Sequence, residues 1–358
     1  MPIWPDYSRF SLVAEVHHSR VGSAIQIMEA RGIVIGMAPG KKKLGEKRLG
    51  EKKLIERIRR SAGRGKSVVA GIGDDCAVLR IPPGHELLVT TDFTIEGVHF
   101  RRDWHPPELV GRRCLTRGLS DIAAMGGEPQ AAFLSLAVAR DVPQKWIDRF
   151  LKGLLELAKK FKIPLAGGDT AQSAGGVQAD IVVVGSVPKG EAVLRSGAKA
   201  GQQIYVTGEL GGSAAVLARP MESKRVRAGD VRHFRPQARV AVGRWLRRHR
   251  MASAMIDLSD GLSTDLAHIC QESHVGAEIE AEAIPRARVG KKLVDLDFAL
   301  HGGDDYELLF TSSAAVPSEV AGARVTRIGR VTRSAGMRLI GADGNRGRLE
   351  ALGWEHFR

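Results

Sequence analysis

Apolar positions along this chain recur at two periods, and the switches between them mark out its elements. From Val68 onward, short β-rich runs alternate with longer amphipathic stretches, predicting strands near 68–72, 87–91, 131–138 and 180–187 and helices near 107–125 and 144–161. A second cycle opens with QQIYVTG at 202–208, a glycine-rich turn and a helix from Ser213, followed by a helix near 236–249. Strands near 253–257, 277–281, 306–311 and 325–331 complete it, with a helix at 262–273 between the first two. Alternation of this kind predicts an α/β architecture of the layered α+β type. Two cycles imply two domains, and the link near Pro188–Gly201 is the best boundary, giving an N-terminal domain at 41–190 and a C-terminal one at 191–358.

Upstream of these cycles, the near-repeat KKKLGEKRLGEKKL at 41–54 runs into Leu54, Ile55, Ile58 and Ala62, whose spacing predicts the first helix. Residues 1–40 hold three acids and three bases and show no sustained period. They read as a poorly ordered leader, and Met37 offers an in-frame start downstream of the written one.

Composition changes this picture little: 358 residues, 43% hydrophobic and 26% charged, suffice for two cores. Cys76, Cys114 and Cys270 lie far apart, so neither a disulfide framework nor a thiolate zinc site is expected, and a reducing cytoplasmic setting is. No stretch reaches the roughly 18 uninterrupted apolar residues of a membrane span, and the start lacks a basic segment followed by an apolar one. The net charge of +14 is more informative once mapped. Residues 41–66 carry twelve Lys/Arg against three Glu, and 219–250 carry eleven against two acids, so each stretch is +9 and the remainder of the chain is net acidic. Such runs usually form a solvated face, and the first lacks aromatic residues for base stacking. Nucleic acid is therefore not the expected partner.

The candidate chemistry sits on aspartates. Five segments pair them with glycine or hydroxyl residues at the ends of predicted strands: GIGDD at 71–75, TTD at 90–92, GGDT at 167–170, DLSD at 257–260 and GGDD at 302–305. Any one could be a turn, because Asp and Gly favour turns for conformational reasons. Five together point to a metal–phosphate site, where glycine admits close backbone approach and carboxylates meet hard cations. Magnesium fits better than zinc, since the eleven histidines are scattered. A conventional nucleotide loop is missing: GRGKS at 63–67 ends like a Walker loop, but Arg60 occupies the place of its first glycine and the segment precedes a strand. GELGG at 208–212 falls short of a dinucleotide fingerprint.

The ordered motifs GIGDDCAVL, TTDFTIEGVHF, GLSDIAAMGGEP, AGGDT, VLRSGAKAGQQIYVTG, MIDLSDGLSTDL, HGGDDYELLF and GWEHF, running from Gly71 to Phe357, resemble the thiamine-monophosphate kinase family. The resemblance implies an aminoimidazole-ribonucleotide synthetase-like fold of two α/β domains around a cleft, with N-terminal domains pairing in a homodimer. It implies ATP-dependent phosphorylation of thiamine monophosphate with several magnesium ions. Position by position, it implies Asp75, Asp92, Asp121, Asp169 and Asp257 as magnesium ligands, Thr90 and Thr91 assisting, and Asp260 on a further ion. Gly168, Asp169, Arg195 and Ser259 are implied to contact ATP, and His99, Asp304 and Trp354 the thiamine phosphate. Two positions depart from the family pattern: Asp304 stands where Glu is usual, and Gly118 where Asn is common. The competing readings are another ATP enzyme of the superfamily with a different acceptor, and a nucleic-acid-binding protein working through the two basic stretches.

Overall fold

The computed structural model describes residues 50–357, apart from Arg64, Asp74 and 220–229. The expected leader at 1–40 and the first part of the basic stretch at 41–66 lie outside the described residues.

The chain order in the first half is α1 (Glu51–Ser61), β1 (Val68–Ala70), β2 (Val78–Leu79), β3 (His85–Ile95), α2 (Pro107–Ala124), β4 (Glu128–Val138), α3 (Gln144–Phe161), β5 (Leu165–Ala171) and β6 (Val177–Pro188). The second half holds β7 (Gln203–Thr207), α4 (Gly212–Leu217), α5 (Val231–Phe234), α6 (Val240–Arg248), β8 (Ala254–Asp257), α7 (Leu262–Ser273) and β9 (Gly276–Glu280). It closes with the small pair β10 (Arg288–Val289) and β11 (Lys292–Leu293), then α8 (Leu296–His301), β12 (Leu308–Ser312), β13 (Glu319–Val320), β14 (Ala323–Thr332), β15 (Gly336–Ile340) and β16 (Arg346–Arg348).

Two sheets carry the architecture. The first runs β3-β6-β4-β5, with only β4 and β5 parallel; the second runs β16-β15-β9-β14-β7-β12-β8, with β13 added beside β14. Helix α3 forms where the pattern placed it, because Trp146, Ile147, Phe150, Leu154, Leu157 and Ala158 recur on one buried face. It stops at Lys162, whose left-handed backbone (φ 58°) turns its N–H back to the Ala158 carbonyl.

Helix α2 is the central element. It meets α3 backbone to backbone: a Cβ at Gly111 would lie 1.9 Å from the Phe150 carbonyl oxygen, and one at Gly153 1.8 Å from that of Glu108. On its other sides, Leu119 and Ile122 share one core with Ile181 and Val183 of the first sheet and with Tyr205, Met255 and Phe310 of the second. Burying each such side chain contributes about 1.5–3 kcal/mol. Polar residues of α2 are thereby fixed at the junction of both sheets.

Several described arginines of the second basic stretch are held in ion pairs. Arg232 pairs with Glu209, Arg239 with Glu307, Arg244 and Arg248 with Glu128, and Arg247 with Glu191.

Candidate active site

The hydroxyl-aspartate segment at 90–92 lies inside β3, not at its end, and Asp169 lies inside β5. Pairing with β6 over the whole of β3 draws these polar residues into the strand. Strand alternation then sends Thr90 and Asp92 toward α2 and Thr91 to the opposite, open face. Thr90 Oγ1 donates to Asp121 Oδ2 on α2, and Thr91 Oγ1 donates to Asp180 Oδ1 at 2.6 Å. Asp180 belongs to none of the aspartate motifs; a lone aspartate in the β-rich run at 177–188 gives no signal until the register pairs it with Phe93 and Ser135.

Asp92, Asp121 and Asp257, the last residue of β8, face one another at the junction. Burial pushes the Asp92 carboxyl up to about 7, against the pull of Arg117, and the charges of Asp121 and Asp180 push the same way. Burial and the neighbouring Asp121 push Asp257 up to about 8. Burial also raises Asp121, although Thr90, Arg195 and Arg117 oppose it. Arg195 thus stands within electrostatic reach of Asp121 and Asp257. Three mutually repelling carboxyl groups with only two guanidiniums nearby are short of positive charge. Their all-oxygen donor set fits a hard divalent cation such as magnesium.

Asp304, in the loop at 302–305, is in a different state. Asp304 N–H donates to the Ser259 carbonyl at 2.8 Å and Tyr306 N–H to that of Leu258 at 2.9 Å, so this loop lies alongside the Asp257–Asp260 loop. Arg113 Nη2 donates to Asp304 Oδ2 at 2.8 Å, while Arg117 Nη2 (3.2 Å) and Tyr306 OH (2.6 Å) donate to Oδ1. Burial alone would raise this carboxyl, but Arg113 and Arg117 override it and hold the group well below the usual carboxylate range. Behind it, buried His233 takes contacts from Arg113 Nη1, His105 Nε2 at 2.9 Å and Ser213 Oγ at 2.8 Å. Neighbouring Asp305 accepts from Gly211 N–H at 2.7 Å, and burial pushes it up to about 8.

His99 and Trp354 approach each other through a residue not assigned a role from the sequence. The His356 ring lies 5.5 Å edge-on from each. Trp354 N–H donates to the Asp260 carbonyl at 2.9 Å, so the segment after β16 docks beside the aspartate loop. Burial, with Arg117 adding to it, holds the His99 imidazole down at about 3, hence neutral. Its Nδ1 accepts from Ile95 N–H at 3.0 Å. Asp260 groups with Asp265 and His268, their ligand atoms within 4.8 Å of one another.

The remaining expected residues stand apart. Asp75 and Asp169 are exposed, and among the described residues neither side chain pairs with the junction cluster. Asp169 Oδ1 accepts from its neighbour's Thr170 N–H at 2.8 Å. Gly168 (φ 143°) abuts β4 so closely that a Cβ would lie 1.9 Å from the Leu134 carbonyl oxygen. Ser259, half-buried, offers its backbone carbonyl to Asp304.

Residues 73–187 match the family model described as AIR synthase related protein, N-terminal domain, and residues 199–341 match its C-terminal counterpart. A protein named thiamine-monophosphate kinase from Escherichia coli (strain K12) is 38% identical over 321 residues, covering 84% of this chain and 95% of the relative. The chain belongs to the thiamine-monophosphate kinase family. A family relative from Bacillus subtilis (strain 168) is 37% identical over 312 residues, covering 82% and 94%. Among solved structures, the thiamine-monophosphate kinase of Stenotrophomonas maltophilia K279a aligns at a TM-score of 0.73 with 34% identity, covering 84% of this chain and 98% of that one. The AaThiL structure complexed with AMPPCP and TMP aligns at 0.67 with 32% identity, covering 87% and 99%. The two-domain fold expected from the resemblance is therefore the one found.

Proposed function

We propose that the chain transfers the γ-phosphoryl group of ATP to the phosphate of thiamine monophosphate, giving ADP and thiamine diphosphate. The observation that carries the proposal is the electron-rich junction of Asp92, Asp121 and Asp257, where burial raises all three carboxyl groups and the chain's own cations do not offset it. The AaThiL complex, which holds an ATP analogue with TMP, supports the choice of substrates. Magnesium, when bound, would supply the positive charge that lets two anionic phosphates approach. Asp92, Asp121 and Asp257 with Thr90 are the residues that would hold it at the junction, and Asp260, with Asp265 and His268 beside it, the group for a further ion. Asp75 and Asp169, with Thr91 assisting, remain proposed magnesium ligands, although Thr91 is bonded to Asp180 on the opposite face, and Gly168, Asp169, Arg195 and Ser259 remain the proposed ATP contacts.

The acceptor is already an anion, so no side chain has to remove its proton. The chain's own part is alignment and charge balance. His99, Trp354 and His356 offer an aromatic wall for the thiamine rings, and the neutral state of His99 suits a cationic thiazolium. A homodimer is supported by the open face of the first sheet, where Leu87, Val89 and Phe93 are each more than half exposed. Assembly through that face would cover the row. The domain division at 41–190 and 191–358 is supported by the two sheets, which draw on strands from 85–188 and 203–348. Cytoplasmic residence is supported by three free cysteines. Among the described residues no helix is long and apolar enough to cross a membrane.

The test is to incubate the purified chain with ATP, thiamine monophosphate and magnesium and follow phosphorus resonances. Thiamine diphosphate and ADP should appear one for one. ADP without thiamine diphosphate would overturn the acceptor while leaving ATP hydrolysis.

A further inference from the structure

Arg117 of α2 stands between the two halves of the site. Its guanidinium donates through Nη1 to the Phe93 carbonyl at 2.8 Å and through Nη2 to Asp304 Oδ1 at 3.2 Å, and it lies 3.8 Å from Asp92 Oδ1. An arginine carries five N–H groups, so most of its donors are unspent by these two bonds. Its charge acts on both halves of the site: on His99 at the ring side, and on Asp92 and Asp121 at the junction.

The charge count around it is uneven. Asp304 is claimed by both Arg113 and Arg117, so these three groups sum to one positive charge, which is shared with the Asp92 carboxyl 3.8 Å from Arg117. Arg113 is 4% exposed and turned inward to His233, whereas Arg117 is 13% exposed, so Arg117 is the more accessible of the two. With both oxygens engaged, Asp304 is poorly placed to attract a cationic thiazolium.

We propose that Arg117 binds the phosphate of the acceptor and sets its selectivity for the phosphorylated form. The proposal rests on the reading of thiamine monophosphate as acceptor. In that molecule a short alkyl link joins ring to phosphate, so with the rings on the His99–Trp354–His356 wall the phosphate must lie toward the aspartate junction. Arg117 is the cation between the two. A guanidinium fork with spare donors suits a phosphate, and Asp304 holds it in place by pairing with it rather than touching the ring. The shorter Asp at 304, where the family usually has Glu, belongs to this arrangement: its Oδ1 accepts from both Arg117 and Tyr306.

The test is calorimetric titration of the full chain in magnesium buffer with thiamine monophosphate and with unphosphorylated thiamine, for wild type, Arg117→Gln and Arg117→Lys. Wild type should bind the monophosphate more tightly than thiamine. Arg117→Gln should weaken the monophosphate by about 10- to 100-fold, the scale of a lost charge-assisted pair, and leave thiamine within about twofold. Arg117→Lys, which keeps the charge without the fork, should recover part of the loss. Equal weakening of both ligands, or of neither, in a variant that melts like wild type would overturn the proposal. If Arg117→Gln does not fold, an Arg117→Lys chain with unchanged preference for the monophosphate would do the same. A wild type that binds monophosphate yet makes no thiamine diphosphate would remove the catalytic reading and leave the phosphate contact standing.

Discussion

The junction aspartates and Asp304 meet at helix α2 and have opposite fates. At the junction, Asp92 and Asp257 hold their protons to about 7 and 8, since burial and neighbouring carboxylates outweigh Arg117 and Arg195. Asp304, equally a strand-loop aspartate, stays charged because two guanidiniums and a tyrosine hydroxyl surround it. The first group finds too little positive charge among the chain's own side chains, and the second carries its own. The difference separates a place built to receive positive charge from a place built to present it, which is what two phosphates approaching each other require.

Substitutions should expose that contrast. The largest effect is expected at the junction: Asp92→Asn should lower kcat by on the order of 10²–10³-fold, the scale of losing one electrostatic partner in a transition state, without lowering the melting temperature. Retention of more than about a tenth of wild-type turnover, under roughly 1.4 kcal/mol of barrier, would break the assignment. Asp304→Asn should do the reverse to stability, leaving Arg113 and Arg117 buried without their anion at a cost of about 3–5 kcal/mol, measurable by denaturant unfolding. A variant as stable as wild type would mean that the pairs at Asp304 contribute nothing.

A smaller effect is expected at Gly118. A Cβ there would lie 2.6 Å from Val183 Cγ2, so installing the family's common Asn should overpack the α2–sheet contact and cost about 1–3 kcal/mol. An unchanged unfolding midpoint would show that the sheet yields freely. The smallest expected change is Trp354→Ala, which should raise KM for thiamine monophosphate by about 10-fold and leave KM for ATP alone, about 1.4 kcal/mol of ring contact. A parallel rise in both would deny the tryptophan its place on the acceptor side.

Much of the fold was legible because burial writes a period into the chain. Helices α3 and α7 occupy the spans their apolar spacing predicts, 144–161 and 262–273, and β7, β8 and β9 fall within a residue or two of expectation. Strand β5 runs through the GGDT motif instead of ending at it, because Gly167, Gly168, Asp169 and Thr170 carry little of the usual β-forming character and its pairing beside β4 is a tertiary fact. Short elements such as α8 and β16 span too few residues to display a period. For the site, the aspartate motifs pointed to the right loops, yet motifs say nothing about counter-charges. Arg113 and Arg117 read as polar positions on an amphipathic helix, and their partner Asp304 lies 191 and 187 residues away. Asp180 and His356 became visible only through strand register and ring packing.

The central claim, that the junction of Asp92, Asp121 and Asp257 demands a divalent cation, is tested most directly by the melting temperature across pH 5–9 with and without magnesium. A carboxyl that keeps its proton in the folded chain to about 7 or 8, but loses it near 4 when unfolded, removes stability as pH rises from about 4 through 8. Without magnesium, the junction should therefore make the chain melt lower at pH 8 than at pH 5.5. Magnesium should raise the melting temperature most at the alkaline end, and Asp257→Asn should flatten both trends. A magnesium effect that is absent, or is the same for wild type and Asp257→Asn at every pH, would contradict the account.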